Sequence, residues 1–437
     1  MTAPRKVLII GGGFAGLTCA QRLAHDRRFQ VTLVDKQNHH LFQPLLYQVA
    51  TTSLSAPDIA RSLRGILSDA DNIATVMDEI TAIDLQTKTT KSDKTSYPFD
   101  YLILACGART SFFGNDHWQE HTLGLKNLAD AHRIRARVLS ALERAEIESD
   151  EDKKRRLMTI AIVGGGPTGV ELAGAFSDLV RRAMRTDFRN IDPTNLRIIL
   201  IQSGEKILRY FKPELSDYAR KRLEHLGVQV ILGPRVDQVE KGRLHLNKPV
   251  PECEDICNDC WLEAENIIWA AGIETNSLTR KLGIETDRGG RLPVEPDLSL
   301  PGHPFAFAAG DIVNLTDGND KVVPGLAPAA AQMGKYIANN LKREGEDNKK
   351  VAPFKYRDKG AMAIIGKNAA IMETEKFRLN GFFAWLAWLL IHVAFLIGFR
   401  AKIFVLMEWA YSYIIDKPGS RVFVNRRPED LMKHQDS

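Results

Sequence analysis

Cysteine is scarce in this chain, and so is charge of one sign. Five cysteines occur in 437 residues (Cys19, Cys106, Cys253, Cys257 and Cys260). The number is odd, and two of them fall inside apolar segments that read as strand or helix. That excludes a disulfide-stapled secreted framework. A net charge of +5 is too small and too dispersed to argue for nucleic acid. Long hydrophobic runs are also lacking. The most apolar stretch, Phe382–Phe399, is eighteen residues without a charge, at the short end for crossing a bilayer. No signal peptide is visible either. Arg5-Lys6 run at once into Val-Leu-Ile-Ile-Gly-Gly-Gly, a segment better read as a first core strand, which cleavage would remove. The expectation is a globular body in the cytoplasm. With 44% hydrophobic and 26% charged residues, disorder is excluded as the default.

What is present is one piece of grammar used twice. Val7–Ile10 is a four-residue apolar run. Gly11-Gly12-Gly13-Phe14-Ala15-Gly16 follows, then the helical pattern Leu17–Ala24, then a strand Val31–Val34 closed by Asp35. The same order returns at Ile160–Val163, Gly164-Gly165-Gly166-Pro167-Thr168-Gly169, a helix from Val170 to about Arg182, and a strand Arg197–Ile201. Continuous apolar strands alternating with amphipathic helices predict parallel sheets covered on both faces, an α/β fold. Two more buried strands end in small residues, one at Asp100–Gly107 and one at Asn266–Gly272, which includes Ala271. The charged stretches Glu143–Arg156 and Lys342–Lys350 read as solvated surface, a hinge and a linker.

Each glycine loop has the form Gly-x-Gly-x-x-Gly. The first glycine permits a tight turn, the second lets backbone approach a pyrophosphate, and the third lets helix pack on strand. The phosphate then lies at a helix N-terminus, before free N–H groups. Asp35 stands 19 residues past Gly16, where a carboxylate accepts from ribose hydroxyls. At the matching place after the second loop stands Gln202. A neutral amide there removes the repulsion an acid would exert on a 2′-phosphate, so weakened discrimination against NADPH is expected. Two loops argue for two nucleotides, a flavin and a nicotinamide. The segment Pro304-Phe-Ala-Phe-Ala-Ala-Gly310-Asp311 supports the flavin, as a strand ending where a carboxylate reaches a ribityl hydroxyl.

Taken together, these residues resemble the two-dinucleotide flavoproteins similar to glutathione reductase. Within them, His40-Leu-Phe-Gln-Pro-Leu-Leu-Tyr-Gln-Val-Ala50, Gly165–Gly174, Ala331-Gln332 and Ile397-Gly-Phe-Arg-Ala-Lys402 are similar to type II NADH:quinone oxidoreductases, over nearly the whole chain. The resemblance implies a membrane-surface enzyme that oxidises NADH with FAD and reduces quinone without pumping protons. It implies two Rossmann-like domains, FAD-binding at 1–118 with 290–345 and NAD(P)H-binding at 119–289, and a helical membrane-associating region at 346–437. It implies that Gly11, Gly13, Phe14, Ala15, Gly16, Asp35, Lys36, Ile80, Gly310, Asp311, Ala331, Gln332 and Lys402 line FAD. Gly164, Gly166, Pro167, Thr168, Gly169, Gln202, Ala271 and Gly272 would hold the nicotinamide nucleotide. Gln332, Tyr336 and Lys402 would meet the quinone. The chain departs from the family at Gln202, where an acid is usual, and at Tyr336, where a second glutamine is usual.

Asn38–Leu54, the region that carries a redox-active cysteine pair in glutathione reductase-like enzymes, has no cysteine. Reduced flavin must therefore pass electrons directly to an acceptor, a quinone or another small oxidant. Glu171, in the first turn of the second loop's helix, is either a proton source for quinol formation or an acid favoured by the helix dipole; the resemblance tilts the reading to function, with Gln332 as its companion in catalysis. Lys402 reads most simply as an interfacial lysine. Cys253, Cys257 and Cys260 have loose metal-type spacing, with His245 as the nearest fourth ligand, but three thiolates beside acids favour an unbound surface loop. No metal is expected. Sulfide:quinone oxidoreductase and a redox sensor that does not turn over stay open as rival readings. The first needs a catalytic cysteine pair that Cys106 alone does not provide.

The C-terminal region reads as membrane-attaching. Trp385, Trp388, Trp409, Tyr411 and Tyr413 are interfacial aromatics, and Glu408, Ser412 and Asp416 form one narrow polar stripe on an apolar helix. From Arg400 to Arg427 six Lys/Arg face two Asp/Glu, a surplus that favours anionic lipid. The expectation is monotopic attachment to the cytoplasmic face of the cell membrane, giving access to a membrane quinone. A homodimer contact through the same helices is the competing use.

Overall fold

The run read as the first strand is one, Arg5–Ile10, and it lies inside a six-stranded sheet. The computed structural model describes residues 3–183, 187–250, 257–316, 322–343, 352–415 and 422. Its backbone contacts separate two units. One comprises Met1–Leu41, Ala60–Arg109 and Ile273–Lys359; the other comprises Phe42–Ile59, Thr110–Gly272 and Gly360–Ser437.

In the first unit the strand order is Ser299–Leu300, His303–Ala308, Tyr101–Leu104, Arg5–Ile10, Phe29–Asp35 and Ile73–Met77. All neighbours are parallel except the edge pair Ser299–Leu300 and His303–Ala308. Val7, Leu8, Ile9 and Ile10 are buried, as continuous apolar runs in a two-sided parallel sheet must be. The helix Phe14–Leu23 buries Ala15, Leu17, Cys19, Ala20 and Leu23. Helix Ala327–Arg343 lies along it so closely that a Cβ on Gly334 would strike the Ala15 carbonyl.

The second unit repeats the plan with four parallel strands, Val228–Leu232, Arg197–Gln202, Thr159–Val163 and Asn266–Trp269. Every residue of Thr159–Val163 is buried. The helix after the second loop runs Pro167–Asp178 and loosens into a π-turn at Leu179–Ala183, so the helical run reaches the expected end near Arg182. The charged stretch Glu143–Arg156 ends one helix, Leu128–Ile147, and opens another, Glu151–Leu157, whose N-cap Asp150 accepts the Asp152 and Lys153 N–H groups. Most of Lys342–Lys350 lies outside the described residues.

Three antiparallel strands, Ala361–Ile364, Ala370–Glu373 and Arg378–Gly381, precede the C-terminal helices. The apolar stretch Phe382–Phe399 is not one helix. It forms Phe382–Phe395, breaks at Leu396–Gly398, and restarts as Phe399–Ile415. Gly398 takes φ +88° at the break, a left-handed turn that glycine adopts without a Cβ penalty. Asp416 and most of the basic tail lie outside the described residues.

Candidate functional site

The two glycine loops share the same roles for their three motif glycines. Gly11 and Gly164 hold φ of +104° and +115°, and a Cβ on Gly11 would strike the Ala105 carbonyl, while one on Gly164 would meet the Ala270–Ala271 peptide. Gly16 and Gly169 touch the carbonyls of Gly11 and Gly164 where a side chain would stand. Gly13 and Gly166, by contrast, face open space. They are the N-caps of their helices, and neither cap is closed by a side chain. Each loop therefore turns backbone N–H groups and a helix N-terminus toward an open concavity, the arrangement that fits a pyrophosphate.

The residues at the ends of the second strands hold these loops in shape. Asp35 Oδ2 accepts the Gly12 N–H at 2.6 Å, and its Oδ1 accepts the Gln37 N–H at 2.6 Å. Gln202 Oε1 accepts the Gly165 N–H at 2.8 Å. An amide oxygen thus replaces the carboxylate in the loop, and Gln202 keeps its NH₂ for another partner. Spacing placed both residues; it did not show that each pins the glycine loop. His40 is a residue the sequence reading used only as part of a motif. It is buried, its Nδ1 bonds the Gly12 carbonyl at 2.9 Å, and its Nε2 has no partner among the described residues. A buried orphan nitrogen beside a phosphate-type loop fits a bound nucleotide.

The rest of the first unit's expected residues sit as follows. Lys36 is exposed and Ile80 buried. Gly310 takes φ +82° and its N–H points to Met333 Sδ at 3.3 Å, beside Ala15 and Ala330. Asp311 follows in the 3₁₀ turn Gly310–Ile312. On the helix Ala327–Arg343, Ala331 is half-buried. Gln332 pairs with the Arg357 backbone at both ends of its amide, donating to the carbonyl at 3.1 Å and accepting the N–H at 3.0 Å. Tyr336 donates to the Ala352 carbonyl at 2.5 Å, and burial pushes its phenol up. Two of the three expected quinone residues, Gln332 and Tyr336, thus grip the segment that follows residue 351.

In the second unit, Ala271 and Gly272 follow the strand Asn266–Trp269, and Phe113 rests on Gly272. Glu171 lies on the helix Pro167–Asp178 and accepts the Ile364 N–H. Lost hydration outweighs that bond and pushes its carboxyl up to about 8, so it holds a proton at neutral pH. Near it on the short helix Leu46–Ala50 are Tyr47 and Gln48, both buried, whose side chains bond each other. Lys402 Nζ caps the Ala394 carbonyl at 2.8 Å, closing the helix Phe382–Phe395. The aromatic residues Trp388, His392 and Trp409 cluster between the two C-terminal helices, and burial lowers His392 to about 4. Phe383, Phe395, Phe399 and Ile414 are half-exposed or more, an unusually apolar surface. Among the described residues no helix is long and apolar enough to cross a membrane.

Cys19 and Cys106 are unpaired thiols, each pushed up to about 12 by burial. Cys260 is also free, while Cys253 and the Cys257 side chain lie outside the described residues. His245, the candidate fourth ligand, bonds Asp237 at 2.6 Å instead.

Paired loops on paired parallel sheets define a pyridine-nucleotide oxidoreductase, and residues 5–334 match the family model described as pyridine nucleotide-disulphide oxidoreductase. Residues 359–417 match the NDH2 C-terminal domain. The chain is 37% identical, over 97% of its length and 91% of the other, to a type II NADH:quinone oxidoreductase of Mycobacterium tuberculosis, and 38% identical to a second from that organism, over 94% of its length and 87% of the other. NDH2 of Plasmodium falciparum, solved in complex with NADH, superposes with a TM-score of 0.86 at 20% identity, covering 95% of this chain and 99% of that one. The chain belongs to the type II NADH:quinone oxidoreductase family.

Proposed function

We propose that this protein is a flavoenzyme that oxidises NADH and reduces a membrane quinone, without ion pumping. The observation that carries the reading is the duplicate pair of open, uncapped glycine loops, together with family membership over the whole chain. FAD, when bound, accepts a hydride and releases electrons singly or in pairs; the chain's residues bind and orient it. Gly11–Gly16, Asp35, Lys36, Ile80, Gly310, Asp311 and Ala331 line that cofactor, with Lys402 carried over from the family. Gly164–Gly169, Gln202, Ala271 and Gly272 hold the nicotinamide nucleotide, and the Gln202 amide leaves room for NADPH. Residues 1–118 with 290–345, 119–289 and 346–437 are the corresponding functional divisions.

The acceptor side uses Gln332, Tyr336 and Lys402, with Glu171 as the proton source. The half-buried aromatic helices Phe382–Phe395 and Phe399–Ile415 lie on the cytoplasmic face of the membrane as a monotopic anchor, which brings a long-tailed quinone within reach. A homodimer contact is the competing use of the same helices. The absence of cysteine from Asn38–Leu54 favours direct transfer to quinone over a thiol relay. The test is an absorbance spectrum followed by turnover. The purified protein shows a flavin band that NADH bleaches, then oxidises NADH continuously when a soluble quinone is supplied. Bleaching that stops after one equivalent would overturn the reading. In sealed vesicles that turnover leaves the interior pH unchanged, as a pH-sensitive dye reports.

A further inference from the structure

The second unit carries an exposed aromatic ring beside the end of one of its parallel strands. Phe113 is 67% exposed and holds φ +54°, a left-handed backbone that bulky side chains avoid. Gly114 follows at φ +90°. Phe112, just before, is buried, its ring 5.7 Å from that of Trp269. The turn is held from several sides. The Ser111 N–H donates to the Gly272 carbonyl at 3.4 Å, and the Ser111 carbonyl accepts the Trp269 indole N–H at 2.9 Å. The Phe113 N–H donates to Ser111 Oγ at 3.3 Å, and the Asn115 N–H donates to the Phe112 carbonyl at 3.0 Å.

These bonds set the Phe113 ring on Gly272. Its tip lies so close that a Cβ on Gly272 would fall 2.5 Å from Cζ. Gly272 is itself exposed, so the ring stands at an open surface. The strand order says which surface. Thr159–Val163, which leads into the glycine loop, lies between two parallel neighbours. One neighbour ends at Gln202; the other, Asn266–Trp269, runs into Ala270–Gly272. A Cβ on Gly164 would meet the Ala270–Ala271 peptide, so the loop lies against that strand end. A dinucleotide crosses such a sheet where the strand order reverses, with its adenosine ribose at the end of the second strand. Gln202 marks the adenosine side. The nicotinamide end falls on the other side, at Ala271, Gly272 and Phe113. Burial does not repay the strain at Phe113, since most of the ring faces out, and strain of this kind gathers where a ligand is held.

We propose that Phe113 is a contact residue for the nicotinamide end of the nucleotide, its ring stacking on the nicotinamide ring. The inference rests on the reading of the second glycine loop as the nicotinamide-nucleotide site. A planar heteroaromatic ring fits an aromatic face. That face also attracts positive charge, and the nicotinamide ring becomes positive as its hydride leaves. No bond forms or breaks at Phe113. Its part is to orient the ring that yields the hydride. Adenine, the nucleotide's other planar ring, lies on the Gln202 side and gains nothing from Phe113.

The test compares NAD+ with ADP-ribose, which lacks the nicotinamide ring, by calorimetric titration of the flavin-loaded full chain. Phe113→Gly keeps the left-handed backbone, which glycine adopts freely, and gives up little buried surface. Its melting temperature should therefore hold level or rise. NAD+ should bind about tenfold more weakly to this variant, the upper range of one aromatic stack, while ADP-ribose binds as before. Phe113→Tyr keeps the ring and should bind NAD+ as the unaltered protein does. Unchanged NAD+ affinity in Phe113→Gly would overturn the inference and leave the nucleotide site standing. Equal weakening of both ligands would overturn it too, since it would mark Phe113 as shaping the loop or meeting the adenosine half. If the unaltered protein binds neither ligand, the reading of the second loop fails and the inference falls with it.

Discussion

A carboxyl that is to give a proton near neutral pH must first be kept from ionising, and Glu171 meets that condition by losing hydration. Because its folded value is raised to about 8, the protonated form dominates below that pH and is lost above it. Quinone reduction should accordingly fall as pH rises through that value, whereas bleaching of the flavin by NADH should not follow the same limb. Replacing Glu171 with Gln removes the proton without changing the shape much. Steady-state quinone reduction is expected to drop by about a hundredfold, the usual worth of a positioned proton donor. Gln202 makes a second residue-scale prediction. On the proposed nucleotide site, Gln202→Glu puts an acid where the ribose would lie and should lower kcat/KM for NADPH by roughly tenfold or more, about 1.4 kcal/mol, with NADH little affected. Gln202, like Asp35, was legible from spacing after a glycine loop. Their bonds to the loop N–H groups were not, because spacing gives the end of a strand and not the direction of a side chain. Gln332 and Tyr336 were legible only through resemblance. Their grip on the backbone of Arg357 and Ala352 spans a gap no periodicity records.

At the level of elements, the loops read clearly because their physics is local: a positive φ, a close approach and an open cap each demand glycine at a fixed place. Gly164→Ala sets a methyl against the Ala270–Ala271 peptide. The variant should purify with its flavin band intact and show no bleaching at NADH concentrations that saturate the unaltered protein. The C-terminal helices read less clearly. Hydropathy sees Phe382–Phe399 as one stretch because every residue near the break is apolar or glycine. The turn is set by the φ of Gly398 and by Lys402 reaching back to cap Ala394, and the latter is a contact between two helices. Tyr47, Gln48 and Trp409 escaped for the same reason. Each reads as an ordinary core or interfacial residue until the fold brings distant segments together.

For the molecule as a whole, the proposed membrane attachment assigns the aromatic helices the choice of where it works. Truncation after Leu379 should leave a protein that no longer sediments with phosphatidylglycerol vesicles, while the full chain does. Retained sedimentation would place the attachment elsewhere. The two glycine loops make two units legible from sequence, although each unit gathers three separate stretches of chain; membrane placement is harder to read, because it depends on which apolar faces the fold leaves uncovered. Two of the thiols have a consequence of their own. Cys19 and Cys106 are held up to about 12, so almost none of either is thiolate in the cell, and thiolate is the reactive form. Arsenite and maleimides, which poison reductases that hand electrons through a vicinal dithiol, find no such pair in Asn38–Leu54, and electrons entering here would keep flowing through that poisoning.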